Sequence, residues 1–474
     1  MTNKAVGIDN IDSNFLKCMS NCIVHPLEYV FNLCITQAVW PNALKTAEVV
    51  PIFKSGNKHE TKNYRSISLI SHIAKIFEKA ISDRLNEFLS QNNILSKMQF
   101  GFRKNMGTNE ALAYITNKIY SNLDKRVPTV VAFLDIAKAV DTVYHKILFT
   151  KLYRYGIRGN ALEFMKSYLS NRLQVVKLGK ISSEQGKINI GLPQGSILGP
   201  MFFILYINDL LEITDYGDLV YYADDTAVVG AGKTWFDARN RLNEYLQLIA
   251  LWLTQNHLSL NIGKTIFITF GNNKRSIPND LNVHINNMPI KRDTVTKYLG
   301  IFFYCNMRWT YHVKRLVKKT RYPIFIFKKL RKILCSKTLL KIYYALFNSV
   351  ATYGIISWGG AYPNVINPLL KVQKKLIKII TSRDNIKEPL TIKQSFELES
   401  IVYHYNEFFS RYSTNNIQNN TRYRNIQLPK VKSKLLFKSS YIVGLKKFNK
   451  LPKVYKNLHD KKKQELKKII KKTY

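Results

Sequence analysis

Residues 219–230 read LVYYADDTAVVG, and this stretch decides the fold. Two apolar runs rich in β-branched and aromatic residues flank a short acidic centre, a pattern typical of two strands joined by a tight turn. The sequence therefore predicts a β-hairpin with Asp224 and Asp225 at its turn. Adjacent carboxylates repel each other, and a divalent cation would remove that repulsion.

A third carboxylate follows another apolar run. Pro128 introduces residues 130–134, VVAFL, and Asp135 comes next. So short a β-branched run predicts a buried strand. Burying a carboxylate at the end of such a strand costs free energy unless a positive charge or a metal ion compensates it. Three converging carboxylates would hold two divalent ions of the kind that catalyse in-line displacement at phosphorus. For each aspartate taken alone, ordinary turn or cap chemistry is the open alternative.

Hydrophobic periodicity outlines the elements around these acids. Apolar residues at three- and four-residue steps predict an amphipathic helix over 71–89. Similar patterns predict helices over 140–155 and 235–255 and lysine-rich helices across 312–382. Strands are predicted over 265–270 and 295–303.

The composition excludes several classes of protein. The chain has 474 residues, of which 46% are hydrophobic, so it can build a large core and is not globally disordered. Its 73 Lys and Arg against 31 Asp and Glu give a net charge of +42. This charge predicts a polyanionic partner, most simply nucleic acid, with a merely solubilising role as the alternative. No apolar stretch approaches the roughly 18 residues that span a membrane, and the N-terminal residues lack a secretory pattern.

The cysteines and the C-terminal lysines give two further expectations. Five cysteines, an odd number, form no disulfide framework, so we expect reduced thiols in an intracellular compartment. Cys18 and Cys22 have no second pair at zinc-knuckle spacing, and they are predicted to be buried helical cysteines. Residues 430–474 hold sixteen lysines around Leu466, Ile469 and Ile470, which predicts a basic helix.

Further blocks of sequence accompany the acids in a fixed order. They are VPIFK (50–54), NYRSISL (63–69), QFGFR (99–103), FLDIAKAVD (133–141), GLPQGSILGP (191–200), LYIND (205–209), YADD (222–225), LSLN (258–261) and YLG (298–300). Together these blocks resemble the reverse transcriptases of non-LTR retrotransposons, in particular the jockey-like, long interspersed element type.

The resemblance implies an α+β right-hand polymerase with fingers, a palm built on an antiparallel sheet, a helical thumb and a basic C-terminal helical region. We expect residues 1–128 to form the N-terminal segment and fingers and 129–284 the palm with part of the fingers. Residues 285–385 would form the primer grip and helical thumb, and 386–474 the basic C-terminal region. The family usually carries an endonuclease before the polymerase, and we expect this chain to be the polymerase portion without it.

The resemblance also implies a catalytic centre. Asp135, Asp224 and Asp225 would be catalytic and would bind two Mg²⁺ ions, with Mn²⁺ as an alternative. The main-chain carbonyl of Ile136 would be an extra metal ligand. These roles combine the chemistry that the three carboxylates suggest with the positions that the family uses.

Five positions match nucleotide-binding residues of the family. Lys54 and Arg65 would hold the triphosphate of the incoming nucleotide, as a mobile charge and a bidentate fork respectively. Gln194 would contact the nascent base pair, and Gly195 would allow close backbone approach. Lys264 would donate a proton to the departing pyrophosphate. The alternatives are surface lysines at 54 and 264 and a plain turn at 194–195.

Two more parts of the chain complete the predicted site. Tyr298, Leu299 and Gly300 resemble the primer-grip hairpin. Val140 stands at a nucleotide-binding position where the family usually has Phe, so we hypothesise weakened exclusion of ribonucleotides. Ser66 replaces a usual Pro, and this second departure affects a turn rather than the chemistry.

The resemblance implies an RNA-directed DNA polymerase that extends a primer 3′-OH on an RNA template. Its partners would be an RNA template, a DNA primer or target DNA, and deoxynucleoside triphosphates. We do not expect it to bind a membrane. We expect nuclear residence, with ribonucleoprotein assembly in the cytoplasm as an open alternative. A catalytically silent, basic nucleic-acid-binding remnant or domesticated protein is the competing hypothesis. A group II intron or retron-type enzyme is disfavoured because its loop differs from Ser196–Pro200, and an RNA-templated RNA polymerase because it typically uses Gly-Asp-Asp.

Overall fold

The structure, a computed structural model, describes residues 5–104, 106–213, 218–271, 277–382, 387–418, 425–456, 458 and 461–474. For residues 412–418 and 453 only the backbone is described. Helices and strands alternate irregularly along this chain, as the predicted α+β class requires.

The strands fall into two main sheets and two small hairpins. One sheet has the order β2-β1-β4-β5 with β6 beside β4, and the other has the order β13-β10-β3-β8-β7 with β9 beside β3. The strands are β1 Thr46–Phe53, β2 Tyr64–Leu69, β3 Thr129–Ala137, β4 Arg172–Leu178, β5 Ile181–Ser182, β6 Gly186–Ile188, β7 Leu219–Tyr222, β8 Asp225–Ala231, β9 Ser259–Leu260, β10 Ile266–Phe270, β11 His284–Ile285, β12 Met288–Pro289, β13 Lys291–Arg292, β14 Val295–Tyr298 and β15 Ile301–Tyr304.

The helices are most concentrated in the second half of the chain. They are α1 Ser13–Cys18, α2 Ser20–Thr36, α3 His72–Gln91, α4 Thr108–Asp124, α5 His145–Arg154, α6 Gly159–Leu169, α7 Leu198–Tyr206, α8 Trp235–Gln255, α9 Thr310–Leu330, α10 Ser336–Tyr343, α11 Ser349–Ala351, α12 Ile355–Trp358, α13 Pro363–Thr381, α14 Ile392–Gln418, α15 Lys434–Phe437, α16 Ser440–Asn449, α17 Lys453–Lys456 and α18 Lys463–Ile470.

The chain divides into two compact units. The first unit comprises Met1–Lys104, Leu134–Thr226 and Tyr245–Ile262. Its core contains Trp40, which is fully buried, stacks on Phe77 at 4.7 Å and meets the ring of Tyr168 edge-on at 4.8 Å. Such aromatic pairs add to the free energy of burying their surface, so they fix α3 against α6.

The second unit comprises Asn105–Phe133, Ala227–Glu244 and Gly263–Tyr474. Its C-terminal part packs α14, α16 and α18 around a buried cluster that includes Phe408 and Phe448. Leu466 and Ile470 of α18 are buried in this cluster, so the predicted basic C-terminal helix is confirmed. Its lysines keep their charges at the surface, as long basic side chains do over apolar helices.

Several predicted elements agree with the structure. The helix predicted over 71–89 is α3, capped by the Ser71 hydroxyl, which accepts from the Ile73 and Ala74 N–H groups. The helix predicted over 235–255 has those bounds in α8, and the strand predicted over 265–270 is β10. No helix of the described residues combines the length and the apolar character that crossing a membrane requires.

Three predictions need correction. The stretch 140–144 is a turn, and α5 begins only at His145, because the carbonyls of Val140 and Val143 accept from Leu192 and Gly191 instead. The strand predicted over 295–303 is a hairpin, because Leu299 and Gly300 take positive φ values of 43° and 84°. Cys18 and Cys22 do lie in helices, but both are exposed, so their predicted burial was wrong. All five cysteines are free thiols.

Candidate active site

Asp135 lies in β3, within the first compact unit. The predicted strand continues past Asp135 to Ala137, because Ile136 pairs with Leu260 of β9. The Asn261 N–H group donates to the Asp135 carbonyl at 2.8 Å, which fixes the backbone there. Ile136 is buried, whereas Asp135 is only half-buried, so its side chain reaches the edge of the core.

The YADD stretch forms the predicted hairpin, but its turn lies one residue earlier than predicted. β7 ends at Tyr222 and β8 begins at Asp225, so the turn consists of Ala223 and Asp224. Ala223 has a positive φ of 57°, a conformation that needs support in a residue other than glycine. Asp225 therefore stands at the start of a strand rather than in the turn itself.

The support for Ala223 comes from the QFGFR block. The Gln99 side chain is buried, and its Oε1 accepts from the N–H groups of Gly101 at 2.8 Å and Ala223 at 3.3 Å. Gly101 packs so closely that a Cβ there would lie 2.5 Å from the Ala223 nitrogen. The main chains of Phe100 and Tyr221 are also hydrogen-bonded at 2.9 Å. Sequence reasoning identified the block but missed that Gln99 and Gly101 brace the acidic turn.

Electrostatics bring the three aspartates into one site. Partial burial raises the pKa of Asp225, the negative charges of Asp224 and Asp135 raise it as well, and the resulting pKa is about 6. Lys54 acts in the opposite direction and lowers the pKa of Asp225. The carboxylate of Asp225 therefore interacts electrostatically with both other aspartates, although residues 136–223 lie between Asp135 and Asp224 in the sequence.

The donor set fits divalent cations. Carboxylate oxygens are the ligands that hard divalent ions prefer, and a carboxylate whose ionisation is opposed by two like charges is stabilised by a bound cation. Among the described residues no group of three or more His, Cys, Asp or Glu side chains is arranged as a metal site. The electrostatic coupling at Asp225 is thus the observation that supports cation binding.

Lys54 and Arg65 belong to one hairpin of the first unit. Lys54 directly follows β1, and Arg65 lies in β2 opposite Ile52. The Lys54 N–H group donates to the Asn63 carbonyl at 2.9 Å, which closes the hairpin. Both charged side chains are exposed, so they are available to an anionic ligand.

The Pro-Gln-Gly loop rests against this hairpin. The Ser68 N–H group of β2 donates to the Gln194 carbonyl at 2.7 Å. Gly195 has a φ of 138°, and a Cβ there would lie 2.4 Å from the Ser68 oxygen. Only glycine fits so close to the neighbouring strand, so the loop requires Gly195 for packing as well as for any approach of a ligand.

The side chain of Gln194 contacts both Asp141 and Arg65. Its Nε2 donates to Asp141 Oδ1 at 2.6 Å, and its Oε1 accepts from Arg65 Nε at 3.4 Å. The sequence alone did not predict this link to Asp141. Val140, beside Asp141, is half-buried, and its carbonyl accepts from the Leu192 N–H group at 3.0 Å.

The remaining predicted residues lie in the second unit. Lys264 is exposed in the turn that precedes β10. Tyr298 ends β14, and Leu299 and Gly300 form the turn of the β14–β15 hairpin, with Tyr298 and Leu299 buried. The Tyr353 hydroxyl donates to the Leu299 carbonyl at 2.9 Å and so holds the turn.

A basic cavity opens beside this hairpin. It has a volume of about 350 Å³ and is lined by Lys297, Arg315 and Lys319, together with the buried His312. None of the described residues that line it is acidic. Arg315 also lies over the Phe302 ring at 5.7 Å, which orients its guanidinium. Such a cavity suits an anion.

Residues 54–303 match the model of the family described as reverse transcriptase (RNA-dependent DNA polymerase). This match covers more than half of the chain. The chain belongs to the reverse transcriptase family. The predicted right-hand polymerase class is thereby confirmed, whereas the four-part division of the chain stays a prediction.

Curated relatives of this reverse transcriptase come from non-LTR retrotransposons. It is 27% identical to a probable RNA-directed DNA polymerase from transposon X-element of Drosophila melanogaster, over 86% of this chain and 46% of the relative. It is 28% identical to the RNA-directed DNA polymerase from mobile element jockey of the same organism, over 80% of this chain and 42% of the relative. The chain thus spans a little less than half the length of these relatives. The resemblance to jockey-like reverse transcriptases is confirmed.

Among solved structures, an apo telomerase from Candida tropicalis is similar at a TM-score of 0.41 and 13% identity, over 59% of this chain and 58% of that one. Reverse transcriptases generally use divalent metal ions, and they act on nucleic-acid templates. Those two properties come with the family, and the individual roles of the predicted site residues stay predictions.

Proposed function

We propose that this chain is an RNA-directed DNA polymerase that extends a primer 3′-OH on an RNA template. The observation that carries the proposal is the coupling of Asp225 to Asp224 and Asp135, since it indicates a concentrated negative site in the matched domain. Its substrates would be deoxynucleoside triphosphates. The relatives' names, which describe RNA-directed DNA polymerases, support the same reaction.

Each part of the site has a chemical task in this reaction. Asp135, Asp224 and Asp225 would hold two Mg²⁺ ions, which supply activation of the primer hydroxyl and stabilisation of charge on the phosphates when bound. Lys54 and Arg65 would neutralise the triphosphate, because a hairpin carries both exposed charges. Gln194, oriented by Asp141, would present its amide to the nascent base pair.

The basic cavity of the second unit would serve the primer. Lys297, Arg315 and Lys319 present three positive charges beside the turn at Gly300. Lysine and arginine contacts to phosphates position a nucleic acid without reading its sequence. We therefore infer that this part of the chain holds the sugar-phosphate backbone of the primer strand.

We further infer that the chain works in the nucleus. A DNA primer or target DNA would be chromosomal, and the net charge of +42 suits two nucleic-acid partners. Assembly with template RNA in the cytoplasm would precede this step.

Primer extension on an RNA template, with dNTPs and Mg²⁺, tests the proposal. The double variant Asp224→Asn/Asp225→Asn is the matched control, because it removes two charges while it keeps the volume of both side chains. The proposal expects extended DNA from the wild-type chain and none from the variant. Absence of product from the wild type supports a silent nucleic-acid-binding protein instead, and equal product from both chains rejects the assignment of the reaction to this site.

A further inference from the structure

A buried carboxylate lies beneath the Pro-Gln-Gly loop. Glu78 of α3 is fully buried, and its two oxygens have different partners. Oε2 accepts from the Ile197 N–H group at 2.6 Å, and Oε1 accepts from the Tyr168 hydroxyl at 2.7 Å. Ile197 directly precedes α7, so Glu78 holds the N-terminal end of that helix, where a negative charge is favourable.

Arg172 completes the cluster. Its guanidinium is buried, donates from Nη1 to the Tyr168 carbonyl at 3.2 Å and lies 4.9 Å from the Tyr168 ring centre. Burial raises the pKa of Glu78, and the hydrogen bonds from Ile197 and Tyr168 and the positive charge of Arg172 offset only part of that rise. Arg172 is close enough to act on Glu78 electrostatically, and of its three guanidinium nitrogens Nη1 is hydrogen-bonded, whereas Nε and Nη2 are buried without a hydrogen-bond partner among the described residues.

The loop above Glu78 is a closed turn. Ser196 Oγ donates to the Pro193 carbonyl at 2.9 Å and accepts from the Gly199 N–H group at 2.9 Å. Gln194 and Gly195 lie inside this turn, and Ile197 is the residue at its exit. A displacement of the Ile197 amide would therefore move the Gln194 backbone, which the Ser68 N–H group holds on the other side.

We propose that Glu78 is a positioning residue for nucleotide binding, which acts through Ile197 and Tyr168 on the turn that carries Gln194 and Gly195. The inference rests on the proposed polymerase function for its kinetic consequence. A carboxylate that only stabilised the fold would change the melting temperature without changing the affinity for the nucleotide. Loss of a positioning residue raises the KM for the incoming nucleotide, whereas loss of a residue that only stabilises the fold lowers the Tm to a similar extent and leaves that KM unchanged.

The test compares Glu78→Gln with a control from the same helix. Glu78→Gln keeps the volume but replaces one of the two acceptor oxygens with an NH2 group, which cannot accept from the Ile197 N–H group or the Tyr168 hydroxyl. Leu85→Ala truncates a buried apolar residue of α3 two turns away, so it lowers stability without touching the turn. Single-nucleotide incorporation gives KM and kcat for each variant, and thermal unfolding gives its Tm.

We expect Glu78→Gln to raise the KM for a matched dNTP about tenfold, the ratio that the loss of one buried hydrogen bond represents, with kcat little changed. Tyr168→Phe, which removes only the hydroxyl donor, raises it less but in the same direction. Leu85→Ala should keep the wild-type KM even if its Tm falls as much as that of Glu78→Gln. A wild-type KM in Glu78→Gln, or an equal rise in Leu85→Ala, overturns the proposal.

A second measurement does not depend on activity. Hydrogen exchange at the Ile197 amide reports its bond to Glu78 in the unmodified chain and in both Glu78→Gln and Tyr168→Phe. Lost protection at Ile197 with unchanged protection at Leu85 supports the positioning contact, and unchanged protection at Ile197 overturns it. If the wild-type chain extends no primer, the proposed function fails, while this measurement still decides the contact.

Discussion

The amide of Gln194 is held by Asp141, whose Oδ1 accepts from Gln194 Nε2 at 2.6 Å. Arg65 Nε donates to the other side of the same amide at 3.4 Å. A carboxamide satisfies both contacts in one orientation only, because its nitrogen donates and its oxygen accepts. Asp141 thus sets the orientation of Gln194, and Gln194 connects the loop to the β1–β2 hairpin through Arg65.

Asp141→Ala should impair nucleotide incorporation. Without its acceptor, Gln194 loses its fixed orientation, and a hydrogen bond to a charged group contributes about 1.5–3 kcal/mol. We expect kcat/KM for a matched dNTP to fall roughly ten- to hundredfold in steady-state incorporation. Asp141→Asn keeps an acceptor oxygen and should lose much less. Equal kinetics for the wild type and Asp141→Ala would mean that Gln194 needs no such partner.

Val140 should weaken the exclusion of ribonucleotides. Its carbonyl accepts from the Leu192 N–H group, which fixes the backbone at this position. A valine leaves space where the family usually has an aromatic ring, and an unfilled space excludes nothing. We expect Val140→Phe to increase the preference for dTTP over UTP about tenfold or more. Strong exclusion of UTP by the wild type, unchanged in Val140→Phe, would contradict this expectation.

The sequence predicts structure that depends on local contacts better than structure that depends on contacts between distant residues. Helix α3 and its Ser71 cap follow from periodicity and capping chemistry within 20 residues. The turn at 140–144 does not, because the Val140 and Val143 carbonyls bond to residues about 50 positions later in the chain. A single-sequence helical pattern gives no sign of such competition.

The candidate site shows the same division. The three aspartates stand out in the sequence because they lie at the ends of apolar runs, and the family resemblance supplied their predicted catalytic role. Gln99 and Glu78 were missed, because their function depends on Ala223 and Ile197, more than 100 residues away. A glutamate on a helix looks like a solvated residue until its burial is known. The exposure of Cys22 was missed for a related reason, since α2 buries none of its residues.

Mg²⁺ should stabilise the folded chain through the aspartates. An ion that binds only the native state at 100 times its Kd adds about 2.7 kcal/mol to the free energy of unfolding. Thermal unfolding with Mg²⁺ and with EDTA measures this shift. We expect it in the wild type and in the control Asp83→Asn, an exposed acid of α3, but not in Asp224→Asn/Asp225→Asn. An undiminished shift in the double variant would place the ion elsewhere.

The basic cavity should contribute to the salt dependence of primer–template binding. Each lost phosphate contact reduces the slope of log K against log salt by about 1. We expect Arg315→Ala and Lys319→Ala each to reduce it in fluorescence-anisotropy titrations. Lys328→Ala, on the same helix but outside the cavity, should keep the wild-type slope. Unchanged slopes for both cavity variants would exclude phosphate contacts at this position.

His312 should make stability fall in mild acid. It is buried beside Trp358, accepts from the Phe302 N–H group through Nδ1 at 3.4 Å and shares its cavity with Lys297, Arg315, Lys319 and Tyr353. Burial lowers the pKa of His312 to about 4, whereas the unfolded value is about 6.5. Below pH 6.5 the unfolded state therefore binds a proton that the folded state does not, so the free energy of unfolding decreases as pH falls towards 4.

Between pH 7.5 and 5 this one histidine should lower the free energy of unfolding by about 2 kcal/mol. Urea unfolding at the two pH values measures the loss. His312→Phe keeps an aromatic ring in place but cannot take a proton, so the variant should be less dependent on pH by that amount. Its stability at pH 7.5 should be lower than that of the wild type, because the Phe302 N–H group loses its acceptor. Identical pH dependence in the two chains would mean that His312 is protonated equally in the folded and unfolded states.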